Sequence, residues 1–452
     1  MLQYYDNETK VLTLPCTFNQ PLVNIPNDTL KIIFTTEYIN RFNKRIKKNI
    51  LPNSLTHLTF GESFNKEIKE NVLPPNLTEL TFGQKFNKKI KENVLPSNLT
   101  KLTFGMFNQE IKENVLPSSL THLTFSHFNQ EIKENILPSN LTHLTFYHFN
   151  QEIKENILPS NLTHLTFSSF NQEIKENVLP LSLTHLTFSS FNQEIKKNVL
   201  PNSLTHLTFN YFNQEIKKNV LPPSLTELKF SCNHKNVLSN LTHLTHLEFE
   251  NFNQKIKKKL LPPNLTHLKL FELFYEIKKN IFPYSLTHLS IGYFNQKIKK
   301  NVLPDSLTHL SLYSFNQEIK EHVLPNSLTH LTFFSFNQEI KENVLPNSLI
   351  NLTIHSAFNI KIAFPLSLTE IGINSYGNIK NNIPYTVKKI FLSFLCSCDE
   401  DAYDDLCEKI TNLPSSLQEI IIMENSHKIN LIENIPFGCV VKDNNDNILC
   451  KQ

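Results

Sequence analysis

The chain has 452 residues, 40% hydrophobic and 19% charged, the balance of a folded protein rather than a disordered one. Its 44 basic and 41 acidic side chains leave a formal net charge of only +3, which gives no general drive toward nucleic acid or membrane. No run of about 18 apolar residues occurs, so no transmembrane helix is expected, and Met1 to Lys10 lacks the basic start and apolar middle of a signal peptide.

Residues 1–41 read as degenerate N-terminal repeats, with Phe18-Asn19-Gln20-Pro21-Leu22, Ile25-Pro26 and Leu30-Lys31-Ile32-Ile33-Phe34 as worn copies of a unit that becomes regular over 42–230. There the stretch Phe128 to Phe146 is almost copied from Phe149 to Phe167, then again from Phe170 and from Phe191. The pair Phe-Asn occurs 16 times between Phe18 and Phe358. A short repeated unit has one apolar side that only the next unit can cover, so the units must stack into a solenoid.

Within one unit, Leu120, Leu123 and Phe125 have the L-x-x-L-x-L spacing of a leucine-rich-repeat strand, with Pro117 placed before it. Period-2 geometry puts Leu123 and Phe125 inside and His122 and Thr124 outside. Phe128, Ile132 and Ile136 then recur at i, i+4, i+8, the spacing of a short helical or 3-10 return segment. Asn129 and its equivalents Asn108, Asn150, Asn171, Asn192 and Asn213 are candidates for an inward amide ladder that satisfies the neighbouring turn's backbone, or for exposed turn residues. The expected fold is therefore an α/β repeat solenoid, a leucine-rich-repeat-like right-handed coil. Its parallel β-sheet lines the concave face and short helical or irregular segments form the convex side.

Further along, 231–249 is an irregular shortened repeat whose strand signal, Leu241-Thr242-His243-Leu244-Thr245-His246-Leu247, is doubled. Regular repeats resume over 250–364, and 365–452 holds degenerate repeats and a C-terminal cap. Asp399 to Ile410, with Tyr403, Leu406 and Ile410 at helical spacing, reads as one longer outer helix.

The unit Phe-Asn-Gln-x-Ile followed by Leu-Pro-x-Ser-Leu-x-x-Leu-x-Phe resembles the FNIP repeat, known from amoebae and from the large DNA viruses that infect them. The resemblance covers roughly Phe18 to Phe364. It implies a leucine-rich-repeat-like solenoid used for protein interactions, with no catalytic residue inherited. Some relatives carry an N-terminal F-box and act as ubiquitin-ligase adaptors. Here repeats begin by Phe18, so a ligase role would be that of a recruiting component without its own F-box. The expected location is intracellular, in the cytoplasm, and in the host cytoplasm if the protein is viral.

Candidate functional residues lie on the strand face and its rim. His57, His122, His143, His164, His185, His206, His246, His267, His288, His309 and His330 form one column, with neighbours about 5 Å apart. It is either a partner surface or a strand position multiplied with the repeat. The Thr column Thr124, Thr145, Thr166, Thr187 and Thr208 reads as scaffold.

The two positions after each strand vary while the rest stays fixed, and exposed aromatics are common interface anchors. Tyr147, Phe271, Tyr313 and Phe334 at the first position, with Tyr211 and Tyr293 at the second, are the partner-binding candidates. Lysine pairs such as Lys196-Lys197, Lys217-Lys218, Lys278-Lys279 and Lys299-Lys300 would stack into a basic convex stripe, an alternative surface for polyanions. Cys396, Cys398, Cys407, Cys439, Cys450 and His427 fit no standard zinc-finger spacing, and no metal or cofactor is expected. Asn-Leu-Thr triplets at Asn76, Asn98, Asn140, Asn161, Asn240 and Asn264 read as products of the repeat rather than glycosylation sites. Nucleotide-binding and hydrolase motifs are absent from the sequence. The expected function is a non-enzymatic protein-protein interaction scaffold whose partner is a protein, with neither nucleic acid nor membrane implied.

Overall fold

The computed structural model describes residues 2–35, 40–230, 238, 240–252, 254–257, 260–355, 361–374, 383–393, 410, 413–423, 429 and 432–451. They fall into two compact units, Met1–Val237 and Leu238–Gln452.

In the first unit the strand Val11–Leu14 pairs antiparallel with Tyr5–Asp6 and parallel with Lys31–Phe34. From there every neighbour is parallel and in register, through His57–Thr59, Glu79–Thr81, Lys101–Phe104 and His122–Phe125 to Glu227–Phe230. His143 pairs with His164, Leu144 with Leu165 and Phe146 with Phe167, so like residues form straight columns. Parallel pairing is what a one-way coil of identical units requires, because each strand must run in the direction of the one before.

The second unit repeats the arrangement from His246–Phe249 through His267–Leu270 and His288–Ile291 to Val440–Asp443. It closes with the antiparallel strand Ile448–Lys451. Of the doubled signal, only the second half is strand, since Leu241 to Leu244 form a turn in which the Leu244 N–H donates to the Leu241 carbonyl at 3.1 Å.

The core is the inner column set that the alternation predicts. In His122–Phe125 the burial runs half-buried, buried, half-buried, buried. Phe125 meets Phe128 of its own unit at 4.6 Å between ring centroids and Phe146 of the next unit at 5.5 Å. Phe128 stacks on Phe149 at 6.3 Å with planes 4° apart. Two Phe columns thus interlock as one ring lattice, and each fully buried Phe contributes about 2–3 kcal/mol of transfer free energy. Tight turns feed each strand, as where the Leu141 N–H donates to the Pro138 carbonyl at 3.1 Å.

The expected helical return segments do not form. Among the described residues no α-helix occurs, and Leu2–Tyr4 make a short 3-10 turn. The spacing i, i+4, i+8 is a multiple of two as well as close to a helical repeat, so an extended chain also puts Phe128, Ile132 and Ile136 on one face. A helix would further need apolar residues at i+3 and i+7, where the chain has Glu131 and Asn135. Asn135 moreover adopts φ 62°, a left-handed corner that ends any helix. The same corner recurs at Asn49, Asn71, Asn93, Asn114, Asn156, Asn177, Asn198 and Asn219.

The amide ladder is present: the Asn129 N–H donates to Asn108 Oδ1 at 2.9 Å, and the Asn150 N–H to Asn129 Oδ1 at 2.8 Å. Its members are half-buried or exposed rather than enclosed. The outer helix expected over Asp399–Ile410, with Tyr403 and Leu406, lies outside the described residues except for Ile410, which bridges to Ile432.

Candidate functional site

The strand face is built by the outward half of the alternation. Most rungs carry an imidazole, a hydroxyl two residues on, and the variable rim position after the strand; Glu79, Lys101 and Glu227 replace the imidazole in three rungs of the first unit. In the first unit the rings of His122, His143, His164, His185 and His206 stack at 4.0–4.1 Å between centroids. In the second, His246, His267, His288, His309 and His330 do the same at 4.0–4.2 Å.

A threonine fixes each ring. Thr121 Oγ1 lies 2.9 Å from His122 Nδ1 and 3.2 Å from the Thr100 carbonyl oxygen. That carbonyl already accepts the N–H groups of Thr121 at 2.9 Å and His122 at 3.0 Å. The hydroxyl donates to that carbonyl as well, and its own oxygen faces Nδ1. The pair of contacts fixes the orientation of each ring. The same contact holds at Thr142–His143, Thr163–His164, Thr184–His185 and Thr205–His206.

Burial, followed by the neighbouring imidazoles, pushes the pKa of His143 down to about 4, and His309 in the second unit likewise to about 4. His122, His164, His185 and His288 shift the same way, again chiefly by burial. Charging one ring beside another is unfavourable, so at neutral pH these rings are uncharged. Carboxylates reach the column in the first unit at two places: Glu79 lies 3.4 Å from His57 Nε2, and Glu227 lies 3.5 Å from His206 Nε2. Among the described residues no group of three or more His, Cys, Asp or Glu is placed to hold a metal ion. His243 sits in a turn while His246 opens its strand. Cys439 and Cys450 are free thiols; Cys232, Cys396, Cys398, Cys407 and His427 lie outside the described residues.

The rim candidates separate into two kinds. Tyr147, Tyr211 and Tyr293 stand out at 47%, 69% and 59% exposure. Phe271, Tyr313 and Phe334 are half-buried and associate with one another. The Tyr313 and Phe334 rings stack at 4.1 Å with planes 5° apart, and Phe334 stacks on His355 at 4.5 Å. Phe271 approaches Tyr313 at 6.3 Å across Gly292, where a Cβ would come within 3.2 Å of the Phe271 ring. These four rings make one ridge along the rim of the second unit, at positions held in the first unit by Gly105, Ser126, Tyr147, Ser168, Ser189 and Asn210. His355 was not among the sequence candidates; its signal was the rim position it shares with Phe334.

The opposite, return-segment side carries a second ladder that pattern reading missed. Lys133 Nζ meets Glu110 at 2.9 Å, Lys154 meets Glu131 at 2.8 Å, Lys196 meets Glu173 at 2.6 Å and Lys217 meets Glu194 at 2.6 Å. The first lysines of the pairs Lys196-Lys197, Lys217-Lys218 and Lys299-Lys300 are thus neutralised, and the second, as at Lys197 and Lys218, is exposed. Asn140 Nδ2 donates to the Ser118 carbonyl at 2.9 Å and Asn161 Nδ2 to that of Ser139 at 3.0 Å, which gives these Asn-Leu-Thr asparagines a role in the stack. No helix of the described residues is long and apolar enough to cross a membrane.

Comparison with known proteins agrees with this geometry. The profile of the FNIP Repeat family matches 42–85, 64–106, 86–127, 107–148, 128–170, 149–191, 191–233, 234–272, 252–294, 294–335 and 336–376. The chain is 45% identical to CroV588, a circular leucine-rich-repeat protein from a giant virus, over 94% of this chain and 70% of that one, with a TM-score of 0.67. It also resembles TLR13 in its complex with ssRNA13 (16% identity, 91% and 71% covered, TM-score 0.60). A third likeness is to mouse RP105 in the RP105/MD-1 complex (12%, 91% and 80%, TM-score 0.51). At these identities the last two show the fold alone. No curated protein matches. Repeat proteins of the leucine-rich type generally act as interaction scaffolds, a fold typically without enzymatic activity. The chain belongs to the FNIP repeat family.

Proposed function

We propose that this protein is a non-enzymatic scaffold that docks a protein partner on its strand face. The stacked imidazoles of the strand face, in the second unit those of His288, His309 and His330, would hydrogen-bond to the partner, and the rim aromatics Tyr313 and Phe334 of the same unit would anchor it. The observation that carries the reading is the Tyr313–Phe334 stack at 4.1 Å, in a column whose members in the first unit include Ser126 and Ser168. Aromatic rings held in place by one another lose little entropy on binding, which is what interface anchors need. Uncharged imidazoles on a surface without strong net charge favour a polypeptide over a phosphate backbone. An intracellular setting, and host cytoplasm if the protein is viral, is part of the proposal.

The test is affinity capture followed by mass spectrometry, comparing the native protein with a Tyr313→Ser, Phe334→Ser double variant. Serine already serves repeats of the first unit at this position, as at Ser126, Ser168 and Ser189, so the fold should survive. A partner set reduced at least tenfold in the variant, at an unchanged melting temperature, is the expected result. Equal capture by both proteins would remove the rim from the reading. Ligase subunits among the captured proteins would identify the partner as ubiquitin machinery.

A further inference from the structure

The repeats between Phe252 and Lys320 depart from the consensus in two ways at once. First, the Asn-Gln that follows the buried aromatic is replaced by Phe274-Tyr275. Elsewhere that asparagine accepts the next unit's backbone N–H, as Asn295 Oδ1 does from Asn316 at 2.9 Å. Phe274 has no oxygen to offer and is 48% exposed. Its ring sits 6.2 Å from exposed Tyr293 of the next repeat, and Lys255 Nζ of the previous repeat lies 5.8 Å over the Tyr275 ring.

Second, the glutamate of the ion-pair ladder becomes lysine at Lys255 and again at Lys297. The ladder joins a glutamate to the lysine 23 residues on, as in Glu194–Lys217 and Glu276–Lys299. That offset sets Lys278 against Lys255 and Lys320 against Lys297. Among the described residues Lys278 and Lys320 make no ion pair. Like charges placed together on a surface are destabilising, and so are solvent-exposed aromatics. Here both occur in consecutive repeats of an otherwise copied chain.

We propose that Phe274, Tyr275 and Tyr293, bordered by Lys255, Lys278, Lys297 and Lys320, form a second docking surface, specific for an acidic polypeptide segment with aromatic or aliphatic anchors. Carboxylates of such a segment would supply the counter-charge that Lys278 and Lys320 lack, and its apolar side chains would cover the exposed rings. A polypeptide is favoured over a single-stranded nucleic acid because Glu272 and the Glu276–Lys299 ion pair interrupt the lysines, a spacing that suits separate carboxylates rather than a continuous phosphate backbone. The surface reaches the rim at Tyr293 but does not require the Tyr313–Phe334 stack.

The experiment measures fluorescence anisotropy of a labelled peptide of four Asp-Asp-Phe units on the full-length protein. Controls are a peptide of four Asp-Asp-Ser units, one of four Lys-Lys-Phe units and a twelve-nucleotide oligothymidylate. Two consensus-restoring variants are compared, Phe274→Asn with Tyr275→Gln, and Lys255→Glu with Lys297→Glu. Neighbouring repeats carry these residues, so melting temperatures should hold or rise. The acidic aromatic peptide should bind, and each variant should weaken it at least tenfold. Raising salt should weaken it in the native protein more than in the lysine variant. The proposal is overturned by no binding of that peptide, by equal binding of the Asp-Asp-Ser or oligothymidylate probes, or by variants that bind as well as the native protein. The Tyr313→Ser, Phe334→Ser protein should bind the peptide normally, so failure of the strand-face reading and failure of this one are read separately.

Discussion

His143 and His309 show how a repeated residue acquires chemistry that a single copy would lack. Alone on a strand, an imidazole titrates near 6.5. Stacked between His122 and His164, with His185 beyond, His143 is held down to about 4, first by burial and then by those neighbours. His309 is held similarly among His288, His330 and His267. The unfolded chain therefore binds more protons than the folded one between about pH 6.5 and 4, so stability rises with pH across that window. The contribution is fully present above the unfolded value and is lost as pH falls toward the folded value. The melting temperature should drop by roughly a few degrees between pH 7 and pH 4, and a His143→Gln, His309→Gln variant should drop less. An equal fall in both would mean that other groups set the acid limb. The column itself was legible, because period 2 puts His122 opposite Leu123. The Thr121 contact that orients its ring was not, since the hydroxyl is held by the Thr100 carbonyl of the preceding turn, 21 residues away.

At the scale of one repeat the strand was readable and the return was not. Leu123 and Phe125 alternate with polar residues and leave no other solution. Phe128, Ile132 and Ile136 admit two solutions, and the choice lies with polar residues that pattern reading passes over. Asn135 is the deciding one, because its left-handed φ of 62° turns the chain into the next Leu-Pro corner. A Cβ-bearing residue without a short amide pays about 1 kcal/mol or more for that conformation. Asn135→Ala should therefore lower stability by about 1 kcal/mol in denaturant unfolding, while Asn135→Gly should stay within about 0.5 kcal/mol. His322 occupies the same corner at φ 59°, so His322→Asn should stabilise. Were Asn135→Ala to prove neutral, the corner would not be what excludes a helix. The lysine-glutamate ladder was likewise hidden, because its partners sit 23 residues apart and look like a basic run and an acidic run until the units are stacked.

For the stack as a whole, within the first unit, the physical rule is that each turn sees only its neighbours. The His143 strand pairs with the His164 strand, which pairs with the His185 strand, all in the same register. Removing residues 149–169 deletes one full turn and should leave His143 opposite His185, the Asn129 amide opposite the Asn171 N–H, and Phe146 against Phe188. Every core, amide and ion-pair column then closes over the gap with the residue type it had before. The deletion protein should unfold cooperatively, with a midpoint lower by at most a few degrees because one interface is lost from many. Removing only 149–159 takes out Phe149, Ile153, Ile157 and Pro159 but keeps the strand that depends on them. The His164 rung would then have no return segment, and the Phe lattice would end on both sides of it. That protein should lose cooperative unfolding or fail to fold. If the half-turn deletion were tolerated as well as the full one, the columns of buried Phe would not be what holds the turns in place.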